Sequence, residues 1–423
     1  MKEKLTIDQK IHKRKTKKPN FIYNLLGFIW KISIAKKYNI HYKFKTDIKK
    51  VKGPFILISN HASRLDYMFT GIPLLPKRLN FVAGYNEFFR SHLQGVFGIL
   101  KVIPKKNFTA DIYTIKEIKR IIKQGGVIML FPEGMSSISG ANQPVALGTG
   151  KLFKHLGVPV YYSVIKGGYL TSPKYCVEDR CGYIEVEFDK LFDPSDLDEL
   201  SVSEIETKVD EAIYHDDYLW NLKEKHIYKH NNTIAKNLHD LLYWCPKCNK
   251  EFTMIGEENK IYCTSCGNGA HVLDTYEMVP FSDECIIPKT QTEWFNLERA
   301  NVEKEVLDEN FKLIEEVELG ILPDYEYLKN QKTSNIVGCG TITLDRTGLT
   351  YIGTKNNEEY TFHINTSELP TYGMCTDLSR FYTFVDGVFV EFYPKNRTVE
   401  KWFMATESLH RLNGGKWQNR IKK

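Results

Sequence analysis

No run of about 20 largely apolar residues, the length a helix needs to cross a bilayer, occurs in this chain. The best stretch, residues 21–34, is rich in Phe, Ile and Leu and holds Trp30, but it is short and is interrupted by Asn24 and Lys31. A spanning segment is therefore not expected. No serine stands in a Gly-x-Ser-x-Gly elbow, the sharp turn that presents a nucleophilic hydroxyl in α/β-hydrolases. The phosphate-loop pattern is missing as well. Gly148-Thr149-Gly150-Lys151 comes near it, but Val145 and Leu152 stand where a glycine and a Ser or Thr belong, and the stretch reads as the glycine-led start of a helix. Five of the nine cysteines, Cys176, Cys181, Cys285, Cys339 and Cys375, show no framework spacing, and no secretory leader is recognisable. Reduced thiols in an intracellular compartment follow from that reading.

What is present begins at a strand. Gly53-Pro54 opens the apolar run 55–59, a short buried strand that ends just before Asn60-His61-Ala62-Ser63-Arg64-Leu65-Asp66. In open α/β sheets ligands bind outside the carboxyl ends of the strands, so His61 is placed for chemistry. Ser63 is positioned to cap a helix over residues 64–71, which puts Asp66 in its first turn. An imidazole there takes a proton from a hydroxyl at neutral pH if a carboxylate fixes its tautomer and favours the imidazolium. With no serine elbow, the hydroxyl is expected to be the substrate's own. The plainer reading is a capping box from Ser63 to Asp66. A second strand end shifts the balance: Gly125-Gly126 closes a helix over residues 110–124, residues 127–131 read as another buried strand, and Pro132-Glu133-Gly134 breaks it at the same edge.

These residues resemble the glycerolipid acyltransferase family, which includes 1-acylglycerol-3-phosphate acyltransferase. Asn60 to Asp66 matches its NHxxxxD block and Phe131-Pro132-Glu133-Gly134 its FPEG block. Residues 98–105 (GILKVIPK) are similar to its second block and Gly157-Val158-Pro159-Val160 to its fourth, and the resemblance spans residues 38–193. It implies His61 as general base, Asp66 as its orienting partner, and Glu133 with Gly134 in the acceptor-binding wall. Asn60 and Ser63 belong to the same substrate-binding set. Two positions depart: where the family places arginines that grip the acceptor's phosphate, this chain has Lys105 and Ser136. Lysine neutralises a phosphate without a guanidinium's fork, and serine brings no charge. Arg64, Lys101, Lys106 and Lys151 are candidates to compensate; a different acceptor head group is the alternative.

Cys245-Pro246-Lys247-Cys248 and Cys263-Thr264-Ser265-Cys266 form two C-x2-C knuckles with four-thiolate zinc spacing. A closed set of four cysteines implies structural Zn2+ stapling a small ribbon, with Gly267 supplying a tight turn. A redox dithiol is the alternative, and His271 a substitute ligand.

Charge is unevenly spread. The first sixty residues hold 16 Lys or Arg against 3 Asp or Glu, although the whole chain is only +6. A basic arm, residues 10–18, beside the aromatic-rich stretch suits a monotopic anchor on an anionic leaflet; a helix packed on the domain with a disordered arm is the alternative. No nucleic-acid partner is expected, since the ribbon lacks a basic stripe.

The expected organisation is a membrane-associating segment (1–37), an α/β acyltransferase domain with a mixed sheet flanked by helices (38–230), a helix and zinc ribbon (231–285), a helical linker (286–330) and a β-rich domain similar to pleckstrin-homology or GRAM domains (331–423). Helices are expected over 201–220, 233–243 and 291–316. Strands are expected near 341–344, 350–352, 359–364, 381–385, 388–393 and 399, with an Asp386-Gly387 hairpin turn and a last helix at 406–412. The expected activity is acyl transfer from acyl-CoA or acyl carrier protein to a lysophospholipid or glycerol phosphate hydroxyl, in a protein peripheral to the cytoplasmic face of the membrane. A hydrolase and a non-catalytic lipid-binding scaffold are the alternatives.

Overall fold

Residues 55–59 are all apolar or small, and all are buried in a strand with neighbours on both sides. Near-continuous hydrophobic runs of this kind mark strands covered on both faces. The computed structural model describes residues 4–109, 111–330 and 332–416; the expected helix start at Ala110, the expected boundary at 331 and the tail from 417 fall outside them.

The first sheet contains β1 (Asn39–Phe44), β2 (Phe55–Ser59), β3 (Leu79–Gly84), β4 (Ile103–Lys105), β5 (Val127–Leu130), β6 (Val160–Lys166) and β7 (Tyr183–Phe192), in the order β1-β7-β6-β2-β5-β3-β4. Strands β6, β2, β5, β3 and β4 run parallel, whereas β7 is antiparallel to β6. The sheet is mixed, as expected, and five carboxyl ends reach one edge. Helices Ile112–Lys123, Thr149–Leu156 and Val202–Ile213 bury Ile118, Ile121, Phe153, Ile205 and Val209 on one face against Ile56, Ile58 and Ile128. The other face, with Phe55, Leu57 and Tyr161, joins the larger core. Gly148, at φ 91°, leads the helix Thr149–Leu156, and Gly157 ends it in the left-handed region.

Several local expectations are corrected. The amino-terminal arm is packed: Ile7 and Ile11 of the helix Ile7–Lys13 are buried, Thr16 N–H donates to Glu117 at 2.5 Å, and Lys18 reaches the Gln124 carbonyl at 2.7 Å. The helix after Ser63 is Asp66–Gly71, because the Ser63 and Asp66 side chains build a turn before it. Residues 201–220 form two helices, Val202–Ile213 with a Ser201/Glu204 capping box and Asp217–Glu224 capped by Asp216. Residues 233–243 hold only a single 3-10 turn, Leu238–Asp240. The linker helix stops at Glu305 (Gln291–Glu305), and Leu313–Ile321 is a strand whose alternate residues Val317 and Leu319 are buried.

That strand is β12. The ribbon comprises β8 (Met254–Glu257), β9 (Lys260–Cys263), β10 (Gly269–Val272) and β11 (Met278–Pro280), all antiparallel. The carboxyl-terminal sheet adds β13 (Asn335–Leu344), β14 (Gly348–Lys355), β15 (Glu358–Asn365), β16 (Gly373–Met374), β17 (Phe381–Val385) and β18 (Val388–Pro394) in the order β15-β14-β13-β12-β18-β17-β16. The β17–β18 hairpin turns at Asp386-Gly387, both with positive φ. Val399 starts the last helix, Val399–Leu412, rather than a strand, and this helix is buried over residues 399–410. Trp402 stacks on Phe381 of the sheet, while Arg299 of the linker helix pairs with Glu407 at 2.7 Å.

Candidate active site and metal centre

His61 leaves β2 at the sheet edge, and three hydrogen bonds and a ring stack hold it. Its Nδ1 lies 2.8 Å from Asp66 Oδ2. Its backbone N–H donates to Glu133 Oε1 at 2.6 Å, and its carbonyl accepts from Ser137 N–H at 2.7 Å. The ring stacks on Phe131, 4.3 Å between centroids. The side chain remains 25% exposed beside a carboxylate that is 1% exposed, so Nε2 is the atom open to a substrate.

Asp66 contacts both Ser63 and His61. It accepts from Ser63 N–H at 2.9 Å and Ser63 Oγ–H at 2.8 Å, and it holds the imidazole. Burial pushes its carboxyl above the usual range, opposed by the His61 and Ser63 hydrogen bonds. Gly168, after β6, lies over this pair: a Cβ there would meet Ala62 Cβ at 3.0 Å.

Glu133 is fully buried and ties two loops together, accepting from His61 N–H, from Asn142 Nδ2 at 3.1 Å and from Gln143 N–H at 2.7 Å. Burial drives its carboxyl well above the ordinary value against those hydrogen bonds. In this geometry it positions the His61 backbone. Gly134 turns at φ 79°, and the Phe108 ring would lie 3.1 Å from a Cβ there, which brings the loop after β4 over the FPEG turn.

The other candidates divide. Asn60 is buried and its amide pairs in both directions with the Ile165 backbone, at 2.7 and 2.8 Å; it locks β2 to β6. Arg64 is engaged by Asp179 and the Val177 carbonyl. Lys105 folds back to the carbonyls of Lys106 and Thr109, and its pKa is lowered by burial. Lys106 reaches the Gly387 carbonyl at 2.8 Å and lies over the Tyr85 and Phe384 rings. Lys101 caps a helix in the left-handed region, and Lys151 is exposed on its helix. The structure therefore gathers His61, Ser63, Asp66, Glu133 and Gly134, and turns Arg64, Lys105 and Lys106 to protein partners. Ser136 accepts a hydrogen bond at 3.0 Å from Lys174, a residue the sequence does not flag because it lies in an irregular stretch after β6.

At the ribbon, the sulfurs of Cys245, Cys248, Cys263 and Cys266 all lie within 4.8 Å of one another. Cys245 and Cys266 are 3.7 Å apart and Cys248 and Cys263 3.8 Å, well beyond a disulfide. Four thiolates at the usual zinc–sulfur length of about 2.3 Å stand about 3.8 Å apart on a tetrahedron, so the donor set fits that ion. Each knuckle closes with a left-handed residue, Asn249 and Gly267, whose N–H bonds back to Cys245 and Cys263 carbonyls at 2.9 Å. His271 packs on Phe281, outside the cluster.

Residues 39–166 match the family model described as Acyltransferase. Among solved structures the chain is similar to the 1-acyl-sn-glycerophosphate (LPA) acyltransferase PlsC from Thermotoga maritima, with 19% identity over 48% of this chain and 76% of that one and a TM-score of 0.35. The family-model match brackets the strands that carry His61 and Glu133, so the part of the chain similar to the Acyltransferase model, residues 39–166, holds the site.

Proposed function

We propose that the protein moves an acyl group from an acyl thioester, on CoA or acyl carrier protein, to a hydroxyl of a lysophospholipid or glycerol phosphate, with His61 as general base. The observation that carries this is the 2.8 Å Nδ1–Asp66 contact at a ring whose opposite edge is open. An Nδ1–H donated to Asp66 leaves the Nε2 lone pair free. Nε2 takes the acceptor's hydroxyl proton as that oxygen attacks the thioester carbonyl. The tetrahedral intermediate then expels the thiolate, which takes the proton back from the imidazolium.

The lipid acceptor gives a role to the helix Ile22–Lys37. Tyr23, Gly27 and Ile34 face the domain, while Phe21, Leu25, Phe28, Ile29 and Ile32 are each more than half exposed on the opposite side. No helix among the described residues is long and apolar enough to span a membrane. An exposed apolar face beside the lysines of a basic segment suits a protein lying in the interface of an anionic leaflet. Zn2+ in the four-cysteine cluster would be structural, since no coordination position is open; metal analysis of the purified chain, and unfolding of the ribbon by a chelator, check it.

Purified protein incubated with labelled acyl-CoA and acyl carrier protein against glycerol 3-phosphate and a panel of lysophospholipids should yield an acylated lipid. His61→Ala should abolish that product and leave the melting temperature within a few degrees. Loss of stability together with activity would assign His61 a structural role. Free fatty acid formed equally with and without acceptor would indicate a hydrolase, and no product with any pair would favour the scaffold.

A further inference from the structure

Lys174 is 7% exposed, and among the described residues no ion pair holds its ammonium. Its side-chain hydrogen-bond partner is a neutral oxygen, Ser136 Oγ at 3.0 Å. A buried ammonium without a counter-charge is costly, and the acids around it do not supply one. Asp377 pairs with Arg380 at 3.8 Å and accepts from the Ser379 hydroxyl at 2.6 Å. Glu87 pairs with Arg90 at 2.9 Å. Glu400 is buried with neither carboxylate oxygen hydrogen-bonded, so it does not reach the ammonium, and burial raises its pKa well above the ordinary value.

The position is tied to the catalytic edge. Ser136 is the neighbour of Ser137, whose N–H holds the His61 carbonyl, and it stands two residues past Gly134. The backbone around the lysine is itself fixed, since its carbonyl accepts from Asp377 N–H at 2.7 Å. Burial lowers the ammonium's pKa, and an anion brought against it would favour the charged form.

We propose that Lys174, presented beside Ser136, is the specificity-determining cation that receives the anionic phosphate head group of the acyl acceptor. This rests on the transfer reading and deepens it: charge absent from position 136 comes from the turn after β6. The acceptor class is then a phosphate-bearing lyso-lipid, and an uncharged monoacylglycerol is discriminated against.

The test is binding of a short-chain, water-soluble lysophosphatidate and of the monoacylglycerol of equal chain length, by titration calorimetry on the full chain, with transfer to each measured beside it. The proteins are wild type, Lys174→Met, Lys174→Arg, Ser136→Arg and the double variant with Lys174→Met and Ser136→Arg. Lys174→Met should weaken the anionic ligand by roughly 30-fold or more, the scale of losing one partner of a buried charge pair, and leave the neutral one unchanged. Lys174→Arg should retain most of the preference, and Ser136→Arg should restore it in the double variant. An equal loss for both ligands, or no loss for either, overturns the proposal. Should Lys174→Met fail to fold, Ser136→Arg alone decides: selective tightening of the anionic ligand supports an anion site here, and unchanged selectivity overturns it. A wild type that binds the anion selectively but transfers nothing sinks the transfer reading and leaves Lys174 standing; transfer with a preference indifferent to Lys174 does the reverse.

Discussion

A single carboxylate can cap a turn and lie against an imidazole at once: Asp66 Oδ1 accepts from the Ser63 hydroxyl, Oδ2 faces His61 Nδ1, and both oxygens share the Ser63 N–H. The spacing from Ser63 to Asp66 admits either role in the sequence; the geometry shows that they share one side chain. Glu133 is harder to read. The FPEG motif marks it as polar at a strand end, but its partners at His61, Asn142 and Gln143 form only when the two loops meet. Glu133→Gln places an amide N–H2 opposite a backbone N–H that needs an acceptor, leaving a buried donor unsatisfied at about 1–3 kcal/mol. Because the group displaced is the His61 backbone, kcat should fall by about tenfold to a hundredfold, with KM for the thioester little changed. Steady-state kinetics beside a thermal melt check this; a variant with full kcat would mean that Glu133 does not position the base. The lysines mislead for the opposite reason. Charge alone nominates Lys105 and Lys106 for phosphate, whereas their ammonium groups turn to loop carbonyls a linear reading does not place nearby.

Elements with a strong local period were legible, and those defined by distant contacts were not. β2 and β5 announce themselves as apolar runs between glycine and proline signals, and β17 with its Asp386-Gly387 turn matches its expected limits. β12 was hidden because its outward residues are glutamates continuous with the charged helix before it, so a helical period seemed to run on; Val317 and Leu319 reveal the alternation only against β13 and β18. The helix Ile22–Lys37 is apolar on both sides, which in a soluble protein signals full burial, yet its outer side is uncovered. Leu25→Asp with Phe28→Asp should therefore weaken co-sedimentation with anionic vesicles at least tenfold without lowering the melting temperature, as neither residue is in the core. Undiminished vesicle binding would remove this helix as the anchor. In the last helix, Glu400 is surrounded by Arg299, Glu407, Lys174 and Asp240, and burial outweighs the cations in raising its pKa. The folded state then keeps a proton that the unfolded chain releases near its ordinary value of about 4.3. This group's stability contribution is full below that pH and declines as pH rises toward the folded value. Glu400→Gln should melt like the wild type near about pH 4 and at progressively higher temperature than the wild type as pH rises; a gap that does not widen with pH would rule out this titration.

At the scale of the whole molecule, the carboxyl-terminal sheet is docked on the catalytic domain at the loop that follows β4. Lys106 bonds to Gly387 across 281 positions of sequence, Tyr85 meets Phe384 with centroids 6.3 Å apart, and Asn107 lies 3.5 Å from the Tyr382 hydroxyl. The same loop places Phe108 over Gly134. No local pattern encodes these pairings, since each half is an ordinary surface loop until the other arrives, and so the β-rich domain was recognisable as a domain but not as a cover for the site. The loop beside the FPEG turn is held by its own bonds to Lys106, Thr109 and Asp111 and by the second sheet, and a segment that loses buried contacts opens locally at lower free-energy cost. Phe384→Ala removes one of the two rings beneath the Lys106 ammonium, an interaction worth about 0.5–2 kcal/mol. Amide hydrogen exchange over residues 105–109 should then quicken several-fold, while exchange in β2 and β5 stays as slow as in the wild type, and transfer to the acceptor should slow in proportion to the loosened loop. Faster exchange throughout the first sheet would mean that the carboxyl-terminal domain stabilises the catalytic fold globally. Unchanged exchange at residues 105–109 would detach the domain from the site altogether.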